Sequence, residues 1–70
     1  MKFKYIQFVE SGDKKYPYEC LNNRTGHSLG FVGTHWGENC FFPQDGMVFS
    51  ESCLQDIITT LRTLPTLAVK

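Results

Sequence analysis

Hydrophobic and polar positions change period once along this chain, between Pro43 and Ser50. Before that point, short runs rich in aromatic and β-branched residues alternate with polar turns, which is the pattern of strands. After it, Leu54, Ile57, Ile58, Leu61 and Leu64 recur at i, i+3, i+4, i+7 and i+10, one face of a helix.

The first run, Lys2 to Val9, alternates roughly, with Phe3, Tyr5 and Val9 on one face and Ile6 and Phe8 on the other. It predicts a strand with apolar groups on both sides. Ser11-Gly12-Asp13-Lys14-Lys15 reads as a turn. A second strand is expected from Tyr16 to Leu21, with Tyr16, Tyr18 and Cys20 sharing a face. Pro17 has no N–H to give to a ladder, so this strand begins late or lies at an edge.

Asn22-Asn23-Arg24-Thr25-Gly26-His27 suits a hairpin longer than the two-residue kind. Asn23-Arg24-Thr25 fits a glycosylation sequon but reads as part of that turn. Ser28 to His35 is a third strand, with Leu29, Phe31 and His35 on one side. Gly30 and Gly33 within it mark a bulge or a close backbone approach. Trp36-Gly37-Glu38-Asn39 is the next turn, and Cys40-Phe41-Phe42 is a short fourth strand closed by Pro43.

The helix carries its own boundaries. Ser50 is a good N-cap, Glu51 suits the positive end of the dipole, and Phe49 can staple onto Leu54. Ser52 with Gln55 offers a competing capping box. Gln55, Asp56, Thr59, Arg62 and Thr63 form the polar side, and Pro65 ends the helix at Leu64. Truncating Ile58 or Leu61 to alanine is expected to cost about 2–5 kcal/mol. These elements assemble as an α+β fold, an antiparallel β-meander of three or four strands with one C-terminal α-helix packed on one face. Residues 1–70 form a single domain, with the sheet over about residues 2–43 and the helix over about residues 51–64.

Size changes the weight placed on large side chains. A chain of 70 residues buries only about 60% of its unfolded surface, so its bulky groups must do much of the packing. Six Phe, three Tyr and one Trp answer that need and argue for a compact core rather than disorder.

Seven basic and seven acidic residues leave no net charge, which disfavours a dedicated duplex-DNA binder. Lys2, Lys4, Lys14 and Lys15 give the N-terminal third a local positive bias, which reads first as solvated strand ends. The opening Met-Lys-Phe-Lys-Tyr has no apolar run for a signal peptide, and no window approaches a membrane span. Cys20, Cys40 and Cys53 are odd in number and widely spaced, which is not a disulfide framework. An intracellular protein with reduced thiols is expected.

Candidate chemistry is sparse. Zinc sites bring ligands in close pairs, whereas His35 and Cys40 are the nearest pair here, so the cysteines are read as small packing hydrophobes. Cys53 near a helix N-terminus, with His35 as base, would be a thiol nucleophile, but no third group or motif supports it. The carboxylates are scattered, and Gly26, Gly30 and Gly33 do not lie between a strand and a helix where phosphate is cradled. No catalytic residue, metal or cofactor is therefore expected.

Aromatics on a sheet carry the functional potential, because Tyr5, Tyr16, Tyr18, Phe31, Trp36, Phe41 and Phe42 exceed what one helix can cover. Phe3, Phe31 and Phe42 are assigned to the core. Tyr16, Tyr18, Trp36 and Phe41 stand between core and surface and are the candidate binding residues. Exposed, they would make a protein interface or stack on unpaired bases.

Leu29-Gly30, Trp36, Cys40-Phe41-Phe42-Pro43, Val48-Phe49, Cys53-Leu54 and Ile57 together resemble a family of small proteins encoded by phages, prophages and other mobile elements. The resemblance spans Asn22 to Leu64 and is carried mainly by the Phe-Phe-Pro to Cys-Leu stretch. Where such sequences often carry an aromatic before the Cys, this chain has Asn39, so the turn after Trp36 is expected to differ. The resemblance implies a meander with a C-terminal helix and the context of a cytoplasmic accessory protein in a bacterial or phage-infected cell. It implies no activity or cofactor.

The functional expectation is a non-catalytic binding module acting through an aromatic sheet face or edge. Its partner is a protein or a second copy of itself as a homodimer, with no membrane role. The alternative is a single-stranded nucleic-acid binder that stacks bases on Tyr16, Tyr18 and Trp36, which the neutral charge disfavours.

Overall fold

The computed structural model describes residues 1–64. Four strands, β1 (Ile6–Glu10), β2 (Tyr18–Asn22), β3 (Ser28–His35) and β4 (Glu38–Pro43), precede a helix, α1 (Glu51–Thr63). The strands form one antiparallel sheet in the order β1-β2-β3-β4, an unbroken meander. The α+β architecture and the C-terminal position of the helix are those expected from the sequence.

Register fixes the two faces. Phe8 lies opposite Cys20, Tyr18 opposite Val32, and Val32 opposite Phe41, so these side chains share the face beneath α1. Ile6, Phe8, Cys20 and Val32 are buried there with Ile57 of the helix, and Phe3, Tyr18, Leu29, Phe41, Phe49, Cys53, Leu61 and Leu64 pack around them. Glu19 opposite Phe31, Phe31 opposite Phe42, and Gly33 opposite Cys40 mark the other face.

The first strand is shorter than expected. The chain reverses near Lys4 and Tyr5, where the Phe3 N–H donates to the Ile6 carbonyl at 2.8 Å. Lys2 then bridges Gln7, and the Phe8 N–H donates to the Met1 carbonyl at 2.7 Å. This fold-back lets Phe3 meet Phe8 edge-on at 6.4 Å, on the face that simple alternation had denied it. It also covers the outer edge of β1, which would otherwise offer unpaired backbone groups.

Pro17 delays β2 to Tyr18, as its missing N–H requires. Tyr16 therefore escapes the strand's alternation and lies on the face opposite Tyr18 and Cys20, contrary to the shared face expected for the three. Between β2 and β3, Asn22 Oδ1 accepts from the N–H groups of Arg24 (2.8 Å) and Thr25 (3.2 Å), an Asx turn.

Ahead of β3 the register slips, since Cys20 faces Gly30 while Leu21 faces Ser28. Leu29 is the extra residue of a bulge, and it packs against the core while Phe31 does not. A Cβ on Gly30 would lie 2.6 Å from the Phe42 carbonyl oxygen and 2.9 Å from Pro43 Cα. The bulge and the close approach expected of this glycine are both present.

The β3–β4 turn is tighter than the four residues expected. Trp36 and Gly37 alone close it, with φ of 53° and 73°, and His35 faces Glu38. Two consecutive positive φ values in a two-residue loop are the type I′ geometry that matches strand twist. The fourth strand consequently gains Glu38 and Asn39 at its start.

The helix starts and stops as the sequence indicates. Ser50 Oγ accepts from the Cys53 N–H at 3.3 Å, and Leu64 is extended at ψ 143°, as a residue before proline prefers. The buried face, however, is turned from the expected one. Ile57 and Thr60 are buried, with the Thr60 hydroxyl donating to the Asp56 carbonyl at 2.9 Å, whereas Leu54 and Ile58 are 47% and 48% exposed. Phe49 swings to Phe41 (5.6 Å, edge-on) rather than stapling Leu54 to the core. The apolar arc from Cys53 to Ile58 is wider than the sheet can cover, and Leu54 and Ile58 are its uncovered margin.

Candidate binding face

The face away from α1 is organised by the β1–β2 connection. Asp13 Oδ1 accepts from the N–H groups of Lys15 (2.7 Å) and Tyr16 (3.2 Å), and the Ser11 hydroxyl donates to the Tyr16 carbonyl. The Ser11 N–H also donates to the Pro17 carbonyl at 2.9 Å, so the loop closes on itself. It lays Lys15 and Tyr16 across β3 at Gly33. A Cβ there would be 2.9 Å from the Lys15 carbonyl oxygen, 2.9 Å from Tyr16 Cδ1 and 3.2 Å from Phe42 Cε1. Glycine at this position leaves the space the tyrosine ring needs.

From that seat a file of rings crosses the face. Tyr16 meets Phe31 at 6.1 Å and Phe42 at 5.2 Å, Phe42 meets His35 at 6.5 Å, and His35 meets Trp36 at 4.0 Å. Tilted and edge-on contacts of this kind each add about 0.5–1.5 kcal/mol beyond area burial. The rings of Tyr16, Phe31 and Phe42 are half-buried, while Trp36 at the end of the file is 84% exposed. Trp36 also holds a backbone conformation that bulky residues seldom adopt, in a turn position that asparagine or aspartate fills more cheaply.

The four expected binding residues are thus divided. Tyr16 and Trp36 lie on the helix-free side, whereas Tyr18 and Phe41 pack against the core beneath α1. Phe31 and Phe42, assigned to the core by the sequence, stand on the helix-free face with Tyr16. His35 joins them and was not expected. The signal for all three was present in strand alternation, but reading it required knowing that only Trp36 and Gly37 separate β3 from β4.

Charge around this face is mixed. The Lys15 ammonium sits 5.6 Å from the Tyr16 ring centre, and Lys14 is its exposed neighbour at the same end of the sheet as Trp36. Lys2 and Lys4 are at the other end of β1, with Lys4 beside Tyr5 at 5.3 Å. Glu19 and Glu38 fall on the ring-bearing face by register.

The cysteines are distributed between the faces. Cys20 is fully buried, and burial, with Cys53 nearby, pushes its thiol up to about 12. Cys40 lies on the opposite face, with its thiol 3.6 Å from the His35 carbonyl oxygen. Cys53 and His35 are on opposite sides of the sheet, so the structure does not assemble them as nucleophile and base. Among the described residues no group of three or more His, Cys, Asp or Glu is placed to hold a metal ion. Also among them, no helix is long and apolar enough to cross a membrane. Comparisons with protein-family models, curated proteins and solved structures find no match to this chain.

Proposed function

We propose that this chain is a non-catalytic binding module that takes a protein partner on the helix-free face, centred on Trp36. The observation that carries this reading is the placement of Trp36, 84% exposed at φ 53° and continuous with the rings of His35, Phe42 and Tyr16. A strained, exposed aromatic at a hairpin tip costs folding energy, and binding at that residue gives a reason to retain it. Tryptophan and tyrosine anchors of this kind dominate protein interfaces. A neutral chain with acidic and basic groups near the face favours a protein surface over a phosphate backbone.

A cytoplasmic accessory role in a phage or prophage setting agrees with this reading and rests on the sequence resemblance. The Lys15 ammonium beside Tyr16 supports a second reading, in which single-stranded nucleic acid stacks on Tyr16 and Trp36.

Trp36→Asn separates these readings from a purely structural role. Asparagine suits the turn, so the variant keeps the fold while removing the ring. Immobilised wild-type protein should retain a protein from host extract that Trp36→Asn does not. Equal retention by both defeats the proposal. Quenching of Trp36 fluorescence by an oligothymidylate, relieved by salt, moves the assignment to nucleic acid.

A further inference from the structure

The outer surface of α1 carries exposed apolar groups, separate from the ring-bearing face. Leu54 and Ile58 are about half exposed one helical turn apart, and Met47 and Val48, just ahead of the helix, are 41% and 94% exposed. The same stretch of helix presents Glu51 in its first turn and Arg62 in its last, both exposed. At about 100° per residue, Glu51, Leu54, Ile58 and Arg62 fall within an arc of roughly 80°. They make one stripe, acidic at one end, aliphatic in the middle and basic at the other.

We infer that this stripe binds the same stripe on a second copy of the chain, with the two helices antiparallel about a twofold axis. The positions are self-complementary. Leu54 and Ile58 are centred on Asp56, and Glu51 and Arg62 are centred between Asp56 and Ile57, half a residue away. An axis through that point sets Leu54 against Ile58 of the second copy. It also sets Glu51 against Arg62 of the second copy, about 17 Å along the helix from the reciprocal pair. Parallel pairing would oppose glutamate to glutamate and arginine to arginine, so charge selects the antiparallel arrangement. Antiparallel helix dipoles favour it as well.

Two aliphatics and a short hydrophobic entry per copy make an interface at the small end of the scale, so the dimer depends on concentration. Both ring-bearing faces remain uncovered in it. The assembly offers two copies of that face, which raises avidity for any partner with repeated sites.

Sedimentation equilibrium from tens of micromolar to near-millimolar protein tests this. The wild type should pass from monomer to dimer across the range. Leu54→Glu should remain monomeric with an unchanged melting curve, since Leu54 is 47% exposed. Glu51→Arg and Arg62→Glu should each lower the association constant by about tenfold, and the double exchange should restore it. Trp36→Asn should leave the dimer intact, which distinguishes helix pairing from association through the sheet. A wild type that stays monomeric throughout overturns the inference. So does a dimer that survives Leu54→Glu, or a charge exchange that fails to restore association.

Discussion

The two faces of the sheet carry similar chemistry and meet different fates. Beneath α1, Phe8 and Phe41 are joined by Ile6, Cys20, Val32 and Ile57 into a closed core. On the other side, Tyr16 contacts Phe31 at a tilt and Phe42 edge-on, yet no helix among the described residues lies over them. Aromatic content therefore does not distinguish core from surface in this protein. Coverage does, and coverage is set by which side of a four-stranded sheet one short helix occupies. In a larger domain a second layer would be expected on the other face. Here the loop carrying Tyr16 is the partial substitute.

The comparison is broken most directly by truncating equivalent rings. Phe8→Ala should cost about 3–5 kcal/mol, while Phe42→Ala on the half-covered face should cost about half as much. Urea denaturation of the two variants measures the difference, and equal losses would mean that the faces are energetically alike.

The same contrast recurs within α1 between adjacent aliphatics. Ile57→Ala should lose about 2–5 kcal/mol, whereas Ile58→Ala, at 48% exposure, should lose less than about 1 kcal/mol. The pair sharpens the contrast because chemistry and helix position are nearly constant. Melting curves that rank Ile58 with Ile57 would restore the helical face read from periodicity.

Alkaline pH probes the covered face through Cys20 when the wild type is compared with a Cys20 variant. The Cys20 thiol is held near 12 against an ordinary value of 9.0, so the unfolded state loses its proton first. The stabilising contribution is fully present below about 9 and is lost as pH rises toward 12. Cys20→Ala should flatten the fall in stability across that window relative to the wild type. An unchanged slope would show that the thiol is not shielded as the structure places it.

The smallest expected effect has the opposite sign. Trp36→Asn relieves a positive φ on a bulky residue and should raise stability by about 1 kcal/mol while removing the exposed ring. A loss of stability would mean that the contact of Trp36 with His35 outweighs the backbone cost. At Trp36 a gain in stability should accompany the loss of the exposed ring, whereas truncation of Phe8 or Ile57 on the covered face should only lose stability.

Local physical chemistry made much of the fold legible from the sequence. Pro17 set where β2 begins, Ser50 capped the helix, and Gly30 announced a close approach. These outcomes depend on a missing N–H, a side-chain acceptor or a missing Cβ, which act within a few residues of themselves. Assignment of side chains to faces required the tertiary structure. Leu29 moved to the core through a bulge registered against Cys20, and Phe3 through a chain reversal. Tyr16 parted from Tyr18 because its loop crosses Gly33, a residue 17 positions away in sequence.

The candidate site follows the same division. Trp36 and Tyr16 were visible in the sequence among four candidates that stood between core and surface, whereas Phe31 and Phe42 were assigned to the core and His35 was not counted with the rings. Periodicity ranks the residues of one element by direction. Burial depends on what another element covers, and the sheet covers Ile57 and Thr60 of α1 while leaving Ile58 half in water. Which apolar surface remains available for binding is thus a property of packing between elements, and no single segment of this chain encodes it.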